Sequence, residues 1–220
     1  MLGGVAIADS EAGLIAEVRL NVKTTHSERL MGVVDHALVQ SELTLEDINC
    51  FAVAIGPGSF TGLRIGLGTI KGLSFSTGRP VVAVPTLEAF AWNFPFCQYP
   101  VCLMLDARKG EVYAAVFRWE GRGFRREIED VSINPEELLG RLPGTTLFAG
   151  EGALLYRDII DRIMKDRAVM APSAGSVPSP ANVAMLGLLK AARGETIDPA
   201  QAQPLYIRKS EAEVKWQKSR

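Results

Sequence analysis

The chain has 220 residues, 47% of them apolar and 22% charged, with a formal net charge of −1 and an isoelectric point near 6.2. This is an ordinary globular composition, long enough to bury one sizeable core or two smaller ones. It supplies no basic field for a phosphate backbone, which argues against a nucleic-acid binder acting alone. Cys50, Cys97 and Cys102 are odd in number, form no C-x-x-C pair and lie in or beside apolar runs, so they read as small buried hydrophobes of a reducing compartment. No uncharged apolar run reaches the roughly 18 residues of a membrane span. Asp9 and Glu11 interrupt the segment where a signal peptide needs an unbroken apolar stretch, and the expected compartment is the cytoplasm.

In chain order, Val5 to Ala8 and Leu14 to Leu20 alternate around Glu11-Ala12-Gly13 and predict a hairpin. Ser27 has the chemistry of an N-cap, and Leu30, Val33, Val34, Ala37 and Leu38 follow at helical spacing to about Ser41. Thr44 with Asp47 starts a short turn on the capping-box pattern. His26 and His36 are ten apart and cannot form the H-x-x-x-H pair that successive helical turns present to a metal.

Phe51 to Ile55 is a buried strand that breaks at Gly56-Pro57-Gly58, and a helix is predicted from about Gly62 to Thr77. The loop fails three tests. A Walker loop needs four residues between its glycines and then Lys-Ser/Thr, but five separate Gly56 from Gly62 and Leu63-Arg64 follow. A dinucleotide fingerprint needs its third glycine one place earlier, and Ser59 does not sit in G-x-S-x-G. The helix carries Gly66, Gly68 and Gly72, each costing about 1 kcal/mol against alanine. Close approach of another backbone across a glycine face offsets such a loss, so the segment reads as a docking helix.

Val81 to Val84 is the next strand, with Thr86 capping a helix through Phe94 and a lobe boundary at Pro95 to Tyr99. Val101 to Leu105 runs as a buried strand into Asp106-Ala107-Arg108-Lys109-Gly110-Glu111, a charged turn whose Asp106 has the chemistry of an acid/base group. The strands Val112 to Trp119 and Phe124 to Ile133 join through Glu120 to Gly123. Asn134-Pro135-Glu136-Glu137 is a helix start. Thr145 to Ala149 is a strand, Ala153 to Met164 an amphipathic helix, and Ser179-Pro180 opens a last helix closed by Gly194. The tail from Tyr206 sets Arg208, Lys209, Lys215, Lys218 and Arg220 around Trp216, which reads either as a solvated, frayed end or as the chemistry of a contact with a partner's acidic surface or with the approach path of tRNA.

HSERL (His26 to Leu30), GPGSFTGLRIGLGTIKGL (from Gly56), LDARKGEVYAAVF (Leu105 to Phe117) and PLYIRKSEAE (Pro204 to Glu213) together resemble the TsaB family, also called YeaZ. That resemblance implies an α/β fold of the actin-like ATPase superfamily (ribonuclease H-like) in two lobes. The lobes would be residues 1–95 with the docking helices and 96–178, with 179–220 as a helix packing back on the first lobe, and a tail. It implies a non-catalytic, cytoplasmic subunit of the machinery that places threonylcarbamoyl on the adenosine next to the tRNA anticodon, binding the catalytic TsaD and the ATPase TsaE and touching tRNA only indirectly. Through the same helices a second copy would bind when TsaD is absent. The partner-binding residues expected are His26, Glu28, Leu30, Arg64, Ile65, Gly66, Gly68, Thr69, Gly72 and Trp216, with no catalytic or metal residue.

The lone chain is expected to hold no cofactor, with ATP or ADP at the interface with TsaD and Gly150 and Gly152 as nucleotide contacts. Family members open with a strand ending in an Asp-Thr-Ser-like turn, and Met1-Leu2-Gly3-Gly4 corresponds to the second strand. The expectation is a missing first strand, through a start set too far downstream or a truncation, which leaves its neighbours unpaired. The competing reading is an enzyme in its own right, a nucleotide-dependent phosphotransferase of the same superfamily or a peptidase.

Overall fold

The computed structural model describes residues 2–21 and 26–208, with side chains over 3–20 and 29–208. The chain divides into two units, Met1–Asn93 with Pro178–Pro204, and Phe94–Val177 with Leu205–Arg220.

In the first unit, β1 (Leu2–Asp9) and β2 (Gly13–Asn21) form an antiparallel hairpin. Asp9 builds the turn, its Oδ1 accepting from the Glu11 and Ala12 amides at 2.8 Å each, and Gly13 supplies φ 79°. Helix α1 (His26–Gln40) begins at His26, so Ser27 lies in its first turn and not at its cap. The carboxylate of Asp47 accepts from the Thr44 amide and hydroxyl at 2.8 and 2.7 Å, closing the predicted turn. Strand β3 (Phe51–Gly56) leads into α2 (Phe60–Thr77), which starts two residues before the predicted Gly62 because Ser59 caps it, accepting from the Gly62 amide at 3.3 Å. Gly78, at φ 68°, ends it.

Strand β4 (Val81–Pro85) pairs with β3 in parallel. Helix α3 (Thr86–Ala91) has Pro85 at its cap. Thr86 is not the cap: its hydroxyl accepts from the Gly56 amide at 3.2 Å, tying the glycine loop to the neighbouring strand end. The helix stops at Ala91, before the predicted Phe94.

The second unit is a five-stranded sheet of order β7-β6-β5-β8-β9, where β5 is Val101–Arg108, β6 Glu111–Glu120, β7 Gly123–Ile133, β8 Thr146–Ala149 and β9 Ala168–Met170. Asn134 caps α4 (Pro135–Gly140) as predicted, accepting from the Glu136 amide at 2.9 Å. The single helix expected over Ala153 to Met164 is two, α5 (Glu151–Leu155) and α6 (Arg157–Met164), broken at Tyr156, whose φ of −107° is outside the helical range. Leu138, Leu139, Ile160 and Met164 close over Cys102, Met104, Val112, Ala114 and Phe148 of the sheet to make its core.

The chain then returns to the first unit as α7 (Pro180–Ala192), which packs across β1, β2, β3 and β4. Two close approaches fix it. A Cβ on Gly187 would lie 2.4 Å from the Ala52 Cβ, and one on Gly4 2.5 Å from the Pro180 side chain. Gly66 of α2 faces Val53, the next residue of β3, and successive strand residues point to opposite faces. Helices α2 and α7 therefore cover the two faces of β3. Among the described residues β3 has one strand partner, and its Ala52, Ala54 and Ile55 stay half-exposed where Val81, Val82 and Val84 of β4 are fully buried.

The N-terminus of α7 is capped from another element. Glu17 of β2 accepts through Oε1 from the Ser179 hydroxyl at 2.7 Å and the Ala181 amide at 2.9 Å, and its Oε2 pairs with Arg19 at 2.9 Å. Burial raises the carboxyl pKa, but the bonds from Arg19, Ser179 and Ala181 outweigh it and leave the group below its ordinary 4.5. Because the folded value lies below the unfolded one, this stabilisation is complete above the unfolded value and fades as pH falls through the folded one. Glu17→Gln should lower the melting temperature at neutral pH by a few degrees, for about 1 kcal/mol of lost capping. The difference from wild type should shrink as melts are taken into the acid range below the ordinary glutamate pKa.

Candidate docking surface

Helices α1 and α2 lie in contact on the first unit, α1 over β1 and β2 and α2 over β3 and β4. At about 100° per residue, Thr61, Gly68 and Gly72 fall on one line along α2, with Arg64 and Phe75 to one side and Ile65 and Ser76 to the other. All but Ile65 are exposed. The opposite side carries buried Leu67, Leu73 and Ser74. The Ser74 hydroxyl donates to the Arg79 carbonyl, which holds the end of the helix against the turn into β4.

The three interior glycines thus separate. A Cβ on Gly66 would touch Val53 at 4.0 Å, whereas Gly68 and Gly72 have nothing within 4 Å. Gly66 belongs to the inner packing and not to the outer face where it was expected, since helical periodicity turns it about 160° from Gly68. Leu30, Ile65 and Thr69 are half-buried. Arg64 is exposed, with its guanidinium 4.0 Å from the centroid of the Phe60 ring. For His26 and Glu28 only the α1 backbone is described, and Trp216 lies outside the described residues.

Sequence reading missed the large apolar side chains of this face. Phe75 is 92% exposed, and Val39 and Met31 of α1 are 60% and 49% exposed. The signal was present: Phe75 stands seven residues after Gly68 and three after Gly72, spacings that share a helix face. Leaving one Phe in water in place of burying it forgoes about 1.5–3 kcal/mol, so bare backbone beside exposed Phe75 is a surface suited to being covered.

Three other residues singled out in the sequence have local structural roles. Gly152 is buried, and a Cβ there would lie 2.9 Å from the Met104 backbone, so the residue lets α5 approach β5. Gly150 takes φ 106° at the cap of that short helix. Asp106 brackets its turn, Oδ1 accepting from the Arg108 amide at 2.8 Å and Oδ2 pairing with the Arg108 guanidinium at 3.0 Å. Next to it Glu111 accepts from Ser132 at 2.7 Å and from Arg208 at 3.4 Å, which joins two of the motifs that carry the family resemblance. Among the described residues no group of three or more His, Cys, Asp or Glu is placed to hold a metal ion. No described helix is long and apolar enough to cross a membrane.

A Bacillus subtilis protein named tRNA threonylcarbamoyladenosine biosynthesis protein TsaB is 30% identical over 216 residues, covering 97% of this chain and 92% of that protein. The chain belongs to the TsaB family. The Escherichia coli protein of the same name is 30% identical over 203 residues, 88% of this chain and 84% of that protein. A family model described as TsaD, tRNA N6-adenosine threonylcarbamoyltransferase, matches residues 14–216. A solved structure described as an uncharacterized protein with similarity to peptidase YEAZ from Pseudomonas aeruginosa superposes with TM-score 0.79 at 26% identity, covering 94% of both chains. YeaZ from Pseudomonas aeruginosa superposes at TM-score 0.75, with 26% identity and coverage of 93% and 94%. The fold of this TsaB-family chain is the actin-like, ribonuclease H-like α/β fold that the motifs implied.

Two glycine substitutions separate packing from surface. Gly152→Ala should lower the melting temperature by several degrees, from about 1–3 kcal/mol of overpacking against β5. Gly68→Ala, with open space for its Cβ, should raise it by a degree or more through roughly 0.5–1 kcal/mol of helix propensity. Thermal melts of the isolated chain measure both.

Proposed function

We propose that the chain is a non-catalytic subunit of the tRNA threonylcarbamoyladenosine machinery, and that it acts by docking the α1–α2 face on the threonylcarbamoyl transferase TsaD. The observation that carries this reading is the outward line of Gly68 and Gly72, open to close backbone approach, with Phe75 exposed on the same helix and Met31 and Val39 exposed on the neighbouring α1. The pattern of similarity supports it. The Bacillus subtilis protein named TsaB matches 97% of the chain, whereas the transferase of Kosmotoga olearia is 37% identical over 84 residues, 36% of this chain and 26% of that enzyme. In this reading TsaE joins through the assembled pair, tRNA is contacted through the transferase, a nucleotide binds where the subunits meet, and the assembly works in the cytoplasm.

Gly68→Leu is the direct test, because propensity and docking push it in opposite directions. Leucine should leave the isolated chain folded and at least as stable, by about 0.5–1 kcal/mol of helix propensity. Its bulk should also abolish co-purification with TsaD. Full binding by a folded Gly68→Leu chain would remove this face from the interface. The purified chain alone should turn over ATP well below about 1 per second, the lower end of ordinary enzyme rates, and a faster, specific turnover would refute the non-catalytic assignment.

A further inference from the structure

The hairpin of β6 and β7 in the second unit has two unlike sides at its tip. Its register sets Phe117 opposite Arg126 and Trp119 opposite Phe124, and strand alternation turns these four to one face. On that face the rings form a continuous ladder. The Arg126 guanidinium lies 4.7 Å from the Phe117 centroid, Phe117 and Phe124 are 6.2 Å apart at 79°, and Phe124 and Trp119 are 5.1 Å apart at 80°. Phe96, from the segment before β5, closes on Trp119 at 4.9 Å. The ladder thus runs from Arg126, held by Asp130 and Glu129, to Phe96, which is 78% exposed.

Two features mark the open end as a surface for a ligand. Phe96 sits at φ 62°, a left-handed conformation that strains a bulky residue and that persists chiefly where function needs it. A glycine would take this backbone without strain, and what phenylalanine adds is a flat ring in water. The second feature is charge. On the other side of the hairpin Arg118 and Arg125 are tied to Glu127 and Glu120 at 2.6 and 2.7 Å, and Arg126 is paired on the ring side, so three of the hairpin's four arginines are neutralised in place. Arg122 is the fourth. It stands exposed in the Gly121-Arg122 turn, separated from the Trp119–Phe124 pair by the single rung Glu120–Gly123, and has no ion pair among the described residues.

A flat exposed ring near one uncommitted cation matches the two halves of a nucleotide, a base with a π-face and a phosphate. We propose that the Phe96–Trp119 end of the ladder stacks an unpaired base of single-stranded RNA, with Arg122 on the adjoining phosphate. The proposal rests on the tRNA role proposed above and adds to the contact through the transferase a direct one, made by the second unit. Because the other arginines are neutralised, the patch holds one nucleotide and not a run of backbone. The chain's net charge of −1 keeps the contact weak by itself, suited to orienting an RNA that another subunit holds.

The probe is a single-stranded RNA of about ten nucleotides, long enough to cross one such site, read by fluorescence anisotropy against the full chain at about 50 mM salt. Wild type should bind with a Kd of the order of 100 µM. Phe96→Gly should weaken binding at least fivefold, the loss of one stacked base, while its melting temperature stays level or rises because the strained φ is relieved. Phe96→Trp keeps a ring and should bind within about twofold of wild type. Arg122→Ala should flatten the slope of log K against log salt by about 0.7, one single-strand phosphate contact. An abasic oligomer of the same length should bind at least fivefold more weakly than the intact one.

No binding by wild type at several hundred micromolar, unchanged binding in Phe96→Gly, or equal binding of the abasic oligomer would each overturn the proposal. AMP that competes mole for mole with the oligomer would overturn it in favour of a free-nucleotide site. A Phe96→Gly chain that keeps RNA and loses TsaD would overturn it in favour of a protein contact. Should Phe96→Gly fail to fold, Arg122→Ala and the abasic oligomer decide the matter. The docking reading is decided by TsaD binding in Gly68→Leu and this one by RNA binding in Phe96→Gly, so either can fail while the other stands.

Discussion

The approach of α7 to the strands of the first unit is the contact on which the rest of its surface depends. At Gly187 against Ala52 and at Gly4 against Pro180 there is no room for one more carbon. The helix is therefore held on one face of β3 at its closest spacing, and Glu17 fixes its N-terminus from β2. With that face closed by α7, the other is left for α2, and the orientation of α2 follows from Leu67 and Leu73 seeking the strand side. What α2 shows to the outside is the remainder of its circumference. Here that remainder centres on Gly68, Gly72 and Phe75, with Arg64 its one charged side chain among Thr61 and Ser76.

Glycine thus does two opposite things in one domain. Gly187 and Gly4 are needed because neighbouring atoms of the same unit stand where a side chain would go. Gly68 and Gly72 have no such neighbour, and in the isolated chain they only weaken the helix. A weakness of about 1 kcal/mol per residue in a protein of ordinary marginal stability is the physical ground for the docking reading proposed above. The same reasoning gives Gly152 a packing role, since the Met104 backbone stands where its side chain would go.

Several residues that draw the eye as chemistry are anchors of local geometry. Asp106 spends both oxygens on Arg108 across a tight turn, and Glu111 gathers Ser132 and Arg208. Their arrangement joins the β5–β6 turn to the beginning of the C-terminal stretch. Two motifs nearly a hundred residues apart in the chain thus belong to one structural feature of the second unit.

By itself the sequence determined the order and type of the elements and the family. Apolar runs, glycine breaks and caps such as Asn134 are local, and the motif set is specific. It also showed that three glycines inside α2 cost helix propensity, without showing what offsets the cost. Boundaries were less legible where a cap competed with a neighbour: Ser59 started α2 early, Thr86 was drawn to the Gly56 amide, and Tyr156 split the helix expected after Gly152. Only the tertiary structure decided which glycines face inward, because periodicity gives the angle between residues but not the direction of the core. Only it could pair Glu17 with Ser179 and Glu111 with Arg208, partners that meet because sheet register and helix packing bring distant segments together. The exposure of Phe75 is of the same kind, a property of what packs on the other side of the helix and not of the residue itself.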